Sequence, residues 1–263
     1  MYQNKDIATK MILRFIGEDN ITHIDEYVDE ILNTESHRFE SVEDIENFFK
    51  DYLDSINNIL SEEDIDLLRY YTGIAYREIN AILRNNWNYE VNGGLTDEKK
   101  QYYNKFAREL KTALNKSIQL PSNIITYRGT NLDSFKRLGI FSLQDLSKLK
   151  NNYIYESGFT STSLLRNRSF FNKSLEWHQN CNIEIEYIIP KDTDDSMPLL
   201  TQDTSYSKIQ TEFLINSGSL IKIIDVKVNL DDNTAYLKAV YIPQNIWNRE
   251  YIQNIDAPQN VNK

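Results

Sequence analysis

Residues 203–216 read Asp203-Thr204-Ser205-Tyr206-Ser207-Lys208-Ile209-Gln210-Thr211-Glu212-Phe213-Leu214-Ile215-Asn216. A short polar run passes into an apolar one, which is the pattern of a loop feeding a buried strand with one carboxylate at the strand's lip. On an extended backbone alternate side chains share a face, so Gln210 and Glu212 are predicted on one side and Thr211 and Phe213 on the other. An amide and an acid would then share a cleft. Taken alone, Gln-x-Glu is more often a polar edge-strand face than a site, so its meaning depends on what accompanies it.

Around this stretch, the chain from Pro121 onward reads mostly as short strands: Ile124–Arg128, Ile154–Ser163, Ile183–Ile189, Glu212–Ile215, Leu220–Val228 and Ala235–Ile242, with small helices over Ser142–Lys150 and Arg168–Gln179. Before Pro121 the spacing is helical. Apolar positions recur through residues 5–60 as three helices, the third starting at Ser41 with Asp44 as its capping partner and preceded by a loop over Thr34–His37. Ser61-Glu62-Glu63-Asp64 is a second capping box and launches a helix to about Arg84, with Ile65, Leu68, Thr72, Ala75, Ile79 and Ile82 as its buried stripe. Along one edge of that stripe Tyr76, Asn80 and Arg84 form a polar row. Thr96 caps one more helix, reaching about Lys116. Helices followed by strands predict an α+β protein, with N-terminal helices packed on or beside a mainly antiparallel β core. The expected division is an acidic helical extension over 1–60 and a second unit over 61–263, the two forming a single compact domain.

The chain has 263 residues and a formal charge of −10, with 17 Tyr and 11 Phe to build a core. Residues 1–66 carry 18 acidic and 5 basic side chains, a net −13 that leaves +3 for the remainder. The front would repel phosphate backbones and the rest is too nearly neutral to attract them, so no nucleic acid is expected. The acidic front reads as a solvated helix face, or more pointedly as a docking surface for a partner. One cysteine, Cys181, cannot form an internal disulfide, and His23, His37 and His178 are too scattered for a zinc site, so no metal is expected. Lys10 and Arg14 interrupt the apolar stretch Ile7–Phe15, which reads as neither a leader core nor a membrane span. An exported protein would be represented here in its processed form.

Two further stretches carry chemistry. Arg128 closes the strand Ile124-Ile125-Thr126-Tyr127-Arg128-Gly129; a strand-end guanidinium offers a fixed fork of donors for a diphosphate or carboxylate, and Gly129 permits close backbone approach. In Gly158-Phe159-Thr160-Ser161-Thr162-Ser163, alternation puts Phe159, Ser161 and Ser163 on one face, a stacking ring beside two hydroxyls. Each has a plain alternative, a surface arginine and a hydroxyl-rich edge strand.

Together and in this order, these motifs resemble the mono-ADP-ribosyltransferase toxins of the Arg / Ser-Thr-Ser / Glu class. The likeness is to the clostridial Rho-modifying exoenzymes and to the catalytic halves of the actin-modifying binary toxins. It covers roughly Ser61–Ile242 and is carried by Tyr70-Tyr71-Thr72, Ile79-Asn80-Ala81-Ile82-Leu83-Arg84, Tyr127-Arg128-Gly129, Gly158–Leu164 and Gln210-Thr211-Glu212. The resemblance implies a two-sheet β core under the N-terminal helices, a catalytic unit over 61–263 and NAD as co-substrate. Arg128 and Arg84 would hold its diphosphate with Asn80 beside them, and Gly129 would meet the nicotinamide carboxamide. Ser163 would line the same site, and Ser161 would position Glu212, whose carboxylate stabilises positive charge growing on the ribose.

In this family Gln two residues before the Glu, in place of a second Glu, is similar to the asparagine-directed exoenzymes, because an amide pairs with an amide by donor and acceptor. The implied acceptor is Asn or Gln of a Rho-type small GTPase in the host cytosol, reached by a secreted monomer. The chain departs from the pattern at Ser207, where the Rho-modifying members have a substrate-reading aromatic, although Tyr206 lies one position earlier. Phe170 falls where the family covers nicotinamide, and Lys173 stands for a phosphate-gripping arginine, a point charge in place of a fork. The acidic front suggests a different delivery route or a delivery partner. The competing readings are an NAD glycohydrolase, a transferase for actin arginine or a nucleobase, and a module that kept the fold without catalysis.

Overall fold

The computed structural model describes residues 18–84, 96–169, 171, 181–200 and 211–247. Helix α1, Glu18–Asn33, places Ile24, Val28 and Ile31 one turn apart, and this stripe seals one face of the sheet against Ile125, Ile188 and Val240. Asp25 adds bonds to Lys222 and the Tyr153 hydroxyl from the same helix. Helix α2, Val42–Asn57, is capped by Ser41, which accepts the Asp44 N–H at 3.1 Å, and it buries Ile45, Phe49, Tyr52 and Ile56 in the core on the opposite face. The acidic front is therefore split between the two faces of the sheet.

Between α1 and α2, the segment expected as loop contains a two-residue strand, β1 (Ser36–His37), parallel to β2 (Asn123–Thr130). Helix α3, Glu62–Tyr70, starts at the expected reciprocal box of Ser61 and Asp64, and Lys116 reaches the same carboxylate at 2.6 Å. The helix does not run unbroken to Arg84. One turn of π-helix, Tyr71–Ala75, separates α3 from α4, Tyr76–Leu83. A π turn inserts about one residue, so it rotates the downstream helix by roughly 100°. Tyr71 is 1% exposed and Asn80 8%, while the expected core position Thr72 is only half-buried. Helix α5, Asp97–Leu114, begins at Thr96 as predicted and packs on α3 and α4.

The remaining strands are β3 (Tyr153–Glu156), β4 (Thr160–Ser163), β5 (Ile183–Ile189), β6 (Met197–Leu199), β7 (Glu212–Ile215), β8 (Ser219–Asn229) and β9 (Thr234–Ile242). Their order is β3-β8-β9-β5-β2-β4-β7-β6, with β1 beside β2. Among the described residues only β1·β2 and β5·β9 are parallel. The result is a mostly antiparallel mixed sheet, and its two halves meet across β2 and β4 at the single pair Tyr127 and Ser163. The strand predicted over Ile154–Ser163 is two strands, β3 pairing with β8 and β4 with β7, because the chain crosses between halves at Ser157-Gly158-Phe159. Strand β6 escaped the sequence reading because three residues containing Pro198 carry no strand signal; the proline sits on the terminal strand, where a missing donor is tolerated. Predicted helix Ser142–Lys150 is the 3₁₀ segment Gln144–Leu149, and predicted helix Arg168–Gln179 lies almost wholly outside the described residues.

Beyond its last residue, β7 is tied down by polar bonds. The Asn216 N–H donates to Ser196 Oγ at 3.1 Å, and its side-chain amide donates to Asn115 Oδ1 at 3.0 Å. Among the described residues no helix is long and apolar enough to cross a membrane.

Candidate active site

Glu212 is the first residue of β7 and faces Ser163 of β4 across an antiparallel pair. It is 5% exposed, yet its neighbours are polar: the Ser161 hydroxyl bonds to its carboxylate and the Arg128 charge acts on it. Burial pushes this carboxyl up to about 7, against the pull of Ser161 and Arg128 in the other direction. Arg128, near the end of β2, donates from Nη1 to the Ser161 carbonyl at 3.1 Å. The junction of the sheet halves thus brings Arg128, Ser161 and Glu212 together from three strands. An acid whose charge is suppressed by burial beside a cation is a signature of a reactive site.

The backbone at this strand entry differs from the alternation argument. Thr211 has φ of 46°, left-handed, at a β-branched residue for which that region costs about 1–2 kcal/mol. Its carbonyl accepts the Leu164 N–H at 2.9 Å, and its hydroxyl lies 3.2 Å from Ser163 Oγ. The simple pleat that would set residues 210 and 212 on one face does not extend through Thr211. Gln210, Tyr206, Ser207, Phe170 and Lys173 lie outside the described residues.

Phe159 is not an open stacking ring. It is fully buried and packs edge-on against Tyr71 at 5.3 Å, because its place after the crossover turns it into the helical core. Ser163 is buried as well, its hydroxyl donating to the Leu165 carbonyl at 2.8 Å, so it fastens the turn after β4. Asn80 also works internally: Oδ1 accepts the Phe159 N–H at 2.8 Å and Nδ2 donates to the Tyr71 hydroxyl at 3.0 Å. Tyr71, raised to about 12 by burial, lies close enough to Glu212 to feel its charge. Gly129 follows Arg128 in register with Glu184 of β5.

Arg84 donates from Nε to Glu156 Oε1 at 2.9 Å and from Nη2 to the Phe159 carbonyl at 3.2 Å. Arg137 binds the other oxygen of Glu156 at 3.0 Å. Burial alone would push the Glu156 carboxyl up, but Arg84, Arg137 and the Gly158 N–H outweigh it and bring it down to about 2. Gly158 is required here, since a Cβ would stand 2.8 Å from both Arg84 Nε and Asn80 Oδ1. Sequence reading missed Glu156 and Tyr71 as parts of this site. The Glu-x-Gly spacing before the hydroxyl-rich strand was the available signal for Glu156; Tyr71 was visible only as part of the Tyr70-Tyr71-Thr72 motif, and nothing local announced the π turn that buries it.

A cavity of about 990 Å³ between α3 and α5, lined by Leu67, Tyr70, Phe106 and Lys116 among others, shares no residue with this cluster. Among the described residues no group of three His, Cys, Asp or Glu could hold a metal ion.

The fold has solved counterparts. C3stau2 from S. aureus, determined with NAD, is 20% identical with a TM-score of 0.59, over 80% of this chain and 100% of that one. Plx2a, an ADP-ribosyltransferase toxin from Paenibacillus larvae, is 22% identical with a TM-score of 0.57, over 76% and 96%. The C2-I enzymatic component of the Clostridium botulinum C2 toxin is 18% identical with a TM-score of 0.55, over 80% of this chain and 50% of its own length. No curated protein matches the sequence. The model of the ADP-ribosyltransferase exoenzymes matches residues 45–241, from within α2 to the end of β9, and the chain belongs to that family.

Proposed function

We propose that this protein transfers ADP-ribose from NAD to an amide side chain, Asn or Gln, of a host Rho-type small GTPase, releasing nicotinamide. The observation that carries the reading is the Arg128, Ser161 and Glu212 cluster, a buried carboxylate held by a hydroxyl beside a cation. The donor set suits NAD: Arg128 and Arg84 supply charge for a diphosphate, with Gly129 alongside for the carboxamide; by the family pattern Phe170 and Lys173 would add to the lining, and Ser163 would support it from the turn after β4. Asn80 supports this wall by pinning the entry to β4.

In this reading Glu212 bonds the nicotinamide-ribose hydroxyl. The glycosidic C–N bond breaks with both electrons leaving on nicotinamide, whose ring nitrogen thereby becomes neutral. Positive charge grows on the sugar, where the carboxylate favours the transition state over the ground state. The acceptor's amide nitrogen bonds to the sugar carbon and gives its proton to Glu212. Gln210 would orient that amide, with Tyr206 and Ser207 reading its surroundings. Water as acceptor gives NAD hydrolysis, the side reaction of the same site. A delivery partner would use the exposed acids of α1, such as Glu26 and Asp29, or those of α2 on the opposite face of the sheet, such as Glu46.

Labelled NAD incubated with the protein and a Rho-type GTPase, actin or nucleic acid tests the acceptor. Transfer to an Asn or Gln of the GTPase is expected, with Gln210→Ala sparing hydrolysis and losing transfer. Labelling of actin arginine, or equal loss of both activities in Gln210→Ala, would overturn the assignment. Gln210→Glu is expected to gain activity toward a free guanidino compound such as agmatine.

A further inference from the structure

The Glu156 carboxylate has no part in the bond-breaking steps, yet three donors converge on it. Oε1 accepts from Arg84 Nε at 2.9 Å and from the Gly158 N–H at 2.9 Å, and Oε2 accepts from Arg137 Nη2 at 3.0 Å. Its side chain is 16% exposed, and those of Arg84 and Arg137 are 26% and 31%. The group as a whole, two guanidiniums and one carboxylate, keeps one net positive charge.

The geometry of Arg84 is over-determined on one edge and open on the other. Nε is held by Glu156, Nη2 by the Phe159 carbonyl at 3.2 Å, and the missing side chain of Gly158 lets the guanidinium plane lie against the backbone. Nη1 has no protein partner among the described residues. An arginine left to itself must lose much side-chain freedom when it grips an anion; one already held loses little, and binding is tighter by that difference.

We propose that Glu156 is a positioning residue for NAD binding: it clamps Arg84 by the Nε edge so that the rest of the fork is preset for the diphosphate, without touching the reacting atoms. This rests on reading Arg84 as a diphosphate ligand. A carboxylate that only competed with the diphosphate for Arg84 would have the opposite effect on affinity.

The test is NAD hydrolysis by the full chain, with NAD binding followed in parallel by quenching of its tryptophan fluorescence, in wild type, Glu156→Gln, Glu156→Asp and Arg137→Gln. Glu156→Gln is expected to raise KM and Kd for NAD about tenfold while kcat stays within about threefold, since the amide keeps the shape but loses the charge that holds the guanidinium. Glu156→Asp should recover part of the affinity. Arg137→Gln leaves the Arg84 contact in place, and its KM should rise less than about threefold. An unchanged KM in Glu156→Gln with a lowered melting point would reduce Glu156 to a structural role. A lowered KM would make it a competitor, and a rise of about tenfold in Arg137→Gln would move the role to Arg137; each overturns the inference. Should Glu156→Gln not fold, Glu156→Asp and Arg137→Gln decide the same question. Wild type that neither binds nor cleaves NAD would remove the functional reading and this inference together, whereas active wild type with an indifferent Glu156→Gln removes the inference alone.

Discussion

Replacing Glu212 by Gln is expected to inactivate the protein and to stabilise it in mildly alkaline buffer. Glu212 is 5% exposed, and burial raises its carboxyl from 4.5 to about 7 despite the Ser161 bond and the Arg128 charge. The folded chain therefore keeps this proton up to about pH 7, while the unfolded chain releases it near 4.5. Stability from this group is full below the unfolded value and is lost as pH rises through the folded one, because between them the native state binds more protons. At about 1.36 kcal/mol per pH unit, the ionised side chain costs the fold about 3 kcal/mol at pH 8 and under about 1 kcal/mol at pH 5. Gln is neutral throughout, has nearly the same shape and still offers an oxygen to Ser161. Urea unfolding of both proteins from pH 5 to 8.5 should show the variant pulling ahead by about 2–3 kcal/mol at the upper end, or roughly 4–10 °C in melting temperature. All other titrating groups are common to the two proteins, so the difference isolates position 212. A difference that stays flat between pH 5 and 8, or a variant less stable than wild type at pH 8, would refute the claim that Glu212 sits in a dry site.

The same elevated carboxyl predicts that kcat/KM for NAD cleavage falls about tenfold per pH unit below pH 7 and levels off above it, because only the ionised form assists bond breaking; an acid limb near 4.5 would mean that Glu212 is as wet as an ordinary glutamate. Gly158→Ala should destabilise the fold by about 1–3 kcal/mol and weaken NAD binding, since its Cβ would stand 2.8 Å from Arg84 Nε and Asn80 Oδ1 and push both away; a stable variant with wild-type KM would show that the approach relaxes freely.

The sequence by itself determined the elements whose signals are local. The Ser61–Asp64 box, the Thr96 cap, the span Ile183–Ile189 and the strand beginning at Glu212 all follow from side chains that bond or alternate within a few residues of themselves. Arg128, Ser161 and Glu212 were legible as a site only together, through the resemblance of their motifs in this order to a known family; each alone had a plain alternative. Tertiary structure alone decided how they meet. The π turn at Tyr71–Ala75, the break of one predicted strand at Gly158, the left-handed Thr211 and the pairing of Arg84 with Glu156 all arise where segments distant in sequence press together. The turn phase, the backbone angle and the ion partner there are set by contacts across the sheet junction, which no periodicity encodes. Phe159 shows the consequence most plainly: alternation gave it an open face, and the crossover beside it turned it inward against Tyr71.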